Sequence, residues 1–138
     1  MYARVDNRQF RLLKAATPGP YTVILEATRI VPRRLSHPSR KTIGLRVPEN
    51  AVAQALLAEL GQPLLGTTLI LPDDDGDSSD GFELLNDAER IRTRLDKQID
   101  LIVDGGACSM EATTVIDLTG ELPVLVRQGR GDAGVFGL

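Results

Sequence analysis

Apolar positions follow two different periods along the chain, and the change from one to the other places its elements. Asp6 to Lys14 predicts a short helix with Phe10 and Leu13 three apart, stopped by Thr17-Pro18-Gly19-Pro20, where proline fixes φ and removes a donor. Tyr21 to Leu25 is dense in aromatic and β-branched residues and predicts a strand. Thr42 to Val47 predicts a second strand, closed by Pro48. Asn50 then caps a helix to Leu60, with Val52, Leu56 and Leu60 on one face and Gly61 as its stop. Leu64 to Leu71 is nearly continuously apolar, which predicts a third strand buried on both faces.

Asn86 and Glu89 have the spacing of a capping box and predict a helix in which Ile91 and Leu95 share a face while Arg90, Arg92 and Arg94 face solvent. Ile99 to Val103, Thr114 to Asp117 and Val124 to Arg127 predict the last three strands, with a turn at Asp104-Gly105-Gly106. Helices and strands alternate without an internal repeat. The expected fold is an α/β open sheet of mixed direction with helices packed on it, in a single domain over residues 1–138. Residues 72–83, rich in aspartate and glycine, read as an acidic flexible loop with too little apolar area to order itself.

Charge changes this picture. Residues 1–48 hold ten Lys and Arg against two Asp and Glu, whereas residues 49–138 hold six against seventeen, so a net charge of −3 hides a strong dipole. Between Ala27 and Pro48 lie Arg29, Arg33, Arg34, Arg40, Lys41 and Arg46, the lone histidine His37, and no acidic residue. Clustered cations of this kind attract polyanions, because each neutralised phosphate releases counterions; a solvated loop face is the alternative reading.

Composition removes several chemistries. One cysteine, Cys108, makes no internal disulfide, and one histidine leaves no Cys/His set for structural zinc, so no metal site is expected. Asp73-Asp74-Asp75-Gly76-Asp77 lacks the alternate spacing and closing glutamate of a calcium loop. No run approaches the ~18 apolar residues of a membrane helix and no export signal is visible, which gives a cytoplasmic expectation. Gly129-x-Gly131-x-x-Gly134 spells a dinucleotide fingerprint but has neither the following helix nor the acidic strand end that this motif requires. Any nucleotide site must then be assembled from strand ends. Thr42 and Arg46, four apart on one strand, share a face; Gly66-Thr67-Thr68 puts a glycine within a strand, where close approach of a ligand or backbone is its usual justification; Thr113 opens one strand and Arg127 ends another. The plain alternative is β-forming threonines and surface arginines.

Read in order, Pro18-Gly19-Pro20-Tyr21-Thr22-Val23-Ile24-Leu25, Arg40-Lys41-Thr42-Ile43-Gly44-Leu45-Arg46-Val47-Pro48, Asp104-Gly105-Gly106, Thr113-Thr114-Val115-Ile116-Asp117 and Val126-Arg127-Gln128-Gly129 resemble the YrdC/YciO family. The resemblance implies a twisted open mixed sheet with flanking helices (YrdC/RibB-like), affinity for double-stranded RNA, and a site for ATP or AMP. The family's enzymatic branch makes threonylcarbamoyl-adenylate from L-threonine, bicarbonate and ATP with Mg²⁺, for modification of adenosine in tRNA. Carried over motif by motif, Thr42, Arg46, Thr68 and Arg127 fall on nucleotide positions, Gly66 and Thr113 on threonine positions, and Arg29, Arg33, Arg34, Arg40 and Lys41 form the expected RNA surface.

Two departures shape the expectation. Where the enzymatic branch has Ser-x-Asn, this chain has Thr68 and Ile70, a pattern closer to the YciO branch. The family's Lys-x-Arg phosphate clamp and most of its threonine pocket would precede Met1, so the chain is expected to be the C-terminal two-thirds of an N-terminally truncated domain. The expected function is nucleotide and double-stranded-RNA binding without complete catalysis, with threonylcarbamoyl-adenylate synthesis as the alternative. No catalytic residue is evident, and an uncovered sheet edge is expected to drive self-association.

Overall fold

A computed structural model describes residues 1–72 and 81–138. The chain divides into two compact units, residues 1–55 with 111–138, and residues 56–110.

The first unit opens with helix α1 (Asn7–Ala16), nucleated by a complete capping box: Asp6 accepts from the Gln9 backbone at 2.7 Å, and Gln9 returns a bond to the Asp6 backbone at 2.8 Å. The Gln9 amide also donates to the Leu118 carbonyl at 2.7 Å, fixing the helix to the sheet. The buried face of the helix differs from the one its Phe10/Leu13 spacing suggests. Leu12, Leu13 and Ala16 pack on the core and Phe10 is mostly exposed, because the cap sets the rotation of the first turn.

Four strands follow as β1 (Tyr21–Glu26), β2 (Thr42–Leu45), β5 (Thr114–Asp117) and β6 (Val124–Arg127), in the order β2-β1-β5-β6. β1 runs parallel to β5 and antiparallel to β2, and β6 runs antiparallel to β5, which gives the mixed sheet. Alternation decides its two faces. Tyr21, Val23, Leu25, Thr114 and Ile116 point into a core completed by Ala3, Ala16, Leu118, Ala133 and Phe136, with Ile43 and Leu45 packed at its margin. Tyr21 and Phe136 meet edge to face at 5.3 Å. The opposite face carries Thr22, Ile24, Thr42 and Gly44 and has no helix of this unit assigned to its core.

The basic segment between β1 and β2 is held by its backbone. Arg33–Leu35 forms a 3-10 turn, the His37 ring nitrogen accepts from the Ser39 and Arg40 backbones at 3.3 and 3.1 Å, and the Lys41 backbone bonds both His37 and Ala27. His37 thus has a turn-forming role, and its cationic neighbours are left exposed.

In the second unit β3 (Ile70–Pro72) pairs antiparallel with β4 (Phe82–Leu84) and helix α3 spans Ala88–Leu95. α2 (Ala51–Leu60) crosses the boundary between the units. Several expectations are corrected here. The strand over Leu64–Leu71 shrinks to β3, and Leu64 and Leu65 are exposed rather than buried on two faces. No strand forms over Ile99–Val103, where Leu101 and Val103 are exposed: in both segments apolar content is present but a pairing partner is not supplied by the described residues.

The cap of α3 is Asp87, accepting from the Glu89 and Arg90 backbones at 3.0 Å, while Asn86 donates to the Cys108 carbonyl. Arg90 and Arg94 do not simply face solvent; both pair with Glu83, and Arg94 also reaches the Pro72 carbonyl at 2.8 Å, tying α3 to the hairpin. Of the acidic stretch 72–83, residues 73–80, with the aspartates of the calcium comparison, lie outside the described residues, whereas Pro72 belongs to β3 and Phe82 and Glu83 to β4.

Candidate ligand-binding face

The open face of the four-stranded sheet collects most of the polar side chains singled out by sequence. Pairing of Val23 with Leu45 and of Glu26 with Thr42 puts Thr42 and Gly44 on the face away from the core. Arg46 follows the last residue of β2 and is exposed. On the other side of β1, the Thr22 hydroxyl bonds the Thr113 hydroxyl at 2.8 Å. Arg127 pairs with Val115 across β6 and donates to the Thr113 carbonyl at 2.9 Å. Three of the six expected ligand residues, Thr42, Thr113 and Arg127, therefore belong to one face of one sheet, and Arg46 lies just past the end of β2. Sequence reasoning passed over Thr22; the signal for it was the polar residue alternating between Tyr21 and Val23.

Gly66 and Thr68 belong to the second unit. They lie in extended chain before β3, exposed, and nothing stands within 4 Å of a Cβ placed on Gly66. Close backbone approach is therefore not what this glycine serves. Arg29, Arg33, Arg34, Arg40 and Lys41 are all exposed, and among the described residues none pairs with a carboxylate.

The glycine string near the C-terminus serves packing. A Cβ on Gly129 would sit 2.3 Å from the Ala112 carbonyl oxygen and 2.5 Å from the Thr113 carbonyl carbon, and one on Gly131 would sit 2.5 Å from the Tyr21 ring. Thr114, fully buried, accepts from the Gly129 and Gly131 backbones at 3.0 Å each and donates to the Gly131 carbonyl at 2.6 Å. Asp132 caps the closing 3-10 turn Ala133–Phe136 through the Gly134 backbone. These bonds lay the segment after β6 against the start of β5, so Arg127 and Thr113 are held side by side.

No helix among the described residues is long and apolar enough to cross a membrane.

The chain is similar to known proteins in sequence and in fold. A family model named Sua5_yciO_yrdC and described as "Telomere recombination" matches residues 1–129. YciO of Escherichia coli K12 is 53% identical over 135 residues, 98% of this chain and 62% of that protein. The threonylcarbamoyl-AMP synthase of Bacillus subtilis is 31% identical over 121 residues, 86% of this chain and 32% of that one. Among solved structures, E. coli YciO superposes with a TM-score of 0.84 at 51% identity, again over 98% of this chain and 62% of that one. P. abyssi Sua5 complexed with L-threonine superposes with 0.74 at 26% identity, over 94% and 36%. This chain thus spans just under two thirds of the length of the YciO proteins it matches. With the match running through both sheet and glycine-rich closing segment, the chain belongs to the Sua5/YciO/YrdC family.

Proposed function

We propose that this chain is a nucleotide- and double-stranded-RNA-binding domain of the YciO branch, acting in the cytoplasm. One observation carries the reading: Thr42, Thr113 and Arg127 share one sheet face with Arg46 just past the end of β2, and the same unit bears, on the segment leading into β2, five exposed cations that pair with no carboxylate among the described residues. Guanidinium groups at two strand ends suit a polyphosphate, which they bind through short charge-assisted hydrogen bonds, and the threonine hydroxyls between them suit sugar or amino-acid polar groups. Arg46→Ala is expected to weaken ATP binding about tenfold or more, the worth of one such bond, with the thermal midpoint nearly unchanged because Arg46 is exposed. Calorimetric titration with ATP measures it, and an unchanged affinity overturns the nucleotide site.

The RNA surface is tested by salt. If Arg33, Arg34, Arg40 and Lys41 meet phosphates, duplex-RNA affinity falls steeply with salt, and neutralising one of them flattens the log-log slope by roughly 0.7–0.9. Affinity that is indifferent to salt rules this surface out. Self-association through β6 belongs to the same proposal: it is a sheet edge, and Val124, Leu125 and Val126 are exposed on it. Light scattering is expected to show dimers at high micromolar concentration; a monodisperse monomer there counts against it.

A second reading, threonylcarbamoyl-AMP synthesis in tRNA modification, is favoured by the relatives that carry that enzyme name and by the placement of Thr113 beside Arg127. In that reaction L-threonine and bicarbonate would form a carbamate with loss of water, and the carbamate oxygen would attack the α-phosphorus of ATP and expel pyrophosphate. Arg46 and Arg127 would hold phosphate and Thr113 the amino acid, with positioning and electrostatics supplying the rate. Pyrophosphate release from ATP that depends on both threonine and bicarbonate, and is lost in Arg127→Ala, supports this reading over binding alone.

A further inference from the structure

Thr113 is almost fully buried, yet its hydroxyl sits at the margin of the open face. Its backbone oxygen is already occupied by Arg127. The hydroxyl's partner among the described residues is the hydroxyl of Thr22, at 2.8 Å. Two hydroxyls sharing one hydrogen bond leave one O–H and the remaining lone pairs for a third group, and the shared bond decides the direction in which these point. Threonine's χ1 is stiff, so a bonded pair is a fixed reader and an unbonded one is a set of rotamers.

Gly44 carries no side chain toward this face, and a Cβ there would already stand 3.4 Å from the Thr22 methyl. A hydroxyl pair suits the ammonium or side-chain hydroxyl of an amino acid, with Arg46 left to phosphate.

We infer that Thr22 is a positioning residue, which orients the Thr113 hydroxyl to receive an amino-acid ligand and so contributes to its selection. The inference rests on the reading that Thr113 contacts L-threonine. The ordinary alternative is that Thr22 and Thr113 are a neighbouring-strand pair that only steadies the sheet.

The experiment compares Thr22→Val, which keeps the branched shape and removes the hydroxyl, with Thr22→Ser, which keeps the hydroxyl. L-threonine affinity of the 138-residue chain is measured by calorimetry with ATP present, and ATP affinity is measured alone. Thr22→Val is expected to lose about five- to tenfold in threonine affinity while Thr22→Ser stays within about twofold, and neither is expected to change ATP affinity. A purely structural role would weaken both variants alike, or neither, and either result overturns the inference. NMR couplings of Thr113 in the unsubstituted chain give an independent check: one dominant χ1 rotamer is expected, and rotamer averaging overturns the inference without any variant. If the unsubstituted chain binds ATP but no L-threonine, the amino-acid reading falls and this inference with it, an outcome distinct from Thr22→Val behaving like the original.

Discussion

Gly129→Ala is expected to destabilise the first unit by about 3 kcal/mol, the upper range for forcing atoms into a packed site. The added methyl would stand 2.3 Å from the Ala112 carbonyl oxygen and 2.5 to 2.6 Å from the Thr113 carbonyl group, all backbone atoms inside or next to β5. No side-chain rotation relieves that. At Gly131 the same change meets the Tyr21 ring at 2.5 Å as well as the Pro20 carbonyl at 3.1 Å, and the ring can tilt at the cost of its contact with Phe136, so a smaller loss is expected. Gly66→Ala, in open space without a positive φ, is expected to change stability by less than about 0.5 kcal/mol. Urea unfolding should rank the three midpoints in that order with similar slopes. A Gly129→Ala midpoint equal to that of Gly66→Ala would show that the closing segment does not lie on β5 as described. Gly66→Ala then becomes a clean probe of ligand contact, because a change in threonine affinity in that variant cannot come from folding.

What the sequence made legible is the part of the fold whose partners are themselves in the described chain. β1, β2, β5 and β6 fall where alternation and β-branched residues place them, because each finds a neighbouring strand and one face on a common core. Leu64–Leu69 and Ile99–Val103 have the same apolar character and form no strand, since apolar content alone specifies burial and not the pairing that completes it. Helix ends were read closely at Asp6 and Asn50, while at α3 the neighbouring Asp87 took the capping role from Asn86, a choice that two adjacent capping residues leave undecided. For the candidate ligand face, strand positions and motif resemblance supplied the residues, and what the structure adds is the register that puts Thr42, Thr113 and Arg127 on one side. Thr22 escaped because a threonine in a strand is an ordinary β-former until its hydroxyl partner is known. The Gly129 to Gly134 string escaped in another way: its reason is three-dimensional, lying in the backbone of Ala112 and Thr113 just before β5 and in the ring of Tyr21.

Thr114→Val is expected to cost roughly 2–4 kcal/mol, about one to three for the buried Gly131 donor and about one for the half-buried Gly129 donor left unpaired. The Thr114 hydroxyl accepts from the Gly129 and Gly131 backbones and donates to the Gly131 carbonyl, and only the last of these has a second partner, the Gln128 amide at 2.9 Å. Valine matches the shape and cannot accept, so the buried Gly131 N–H and the half-buried Gly129 N–H both lose their acceptor. Thr114→Ser keeps the acceptor and loses one methyl, for about 1 kcal/mol. The difference between the two variants in urea midpoint isolates the hydrogen bonds from the packing. Function should follow in a particular order. Because the glycine segment continues from Arg127, loosening it frees the guanidinium from the Thr113 carbonyl before the β1–β2 side of the face is disturbed. In Thr114→Val, well below its unfolding midpoint, ATP affinity is therefore expected to drop toward that of Arg127→Ala, and adding Arg127→Ala to it should cost little more, the non-additivity that marks residues acting as a unit. Full additivity of the two changes would show that Thr114 holds the fold without placing Arg127.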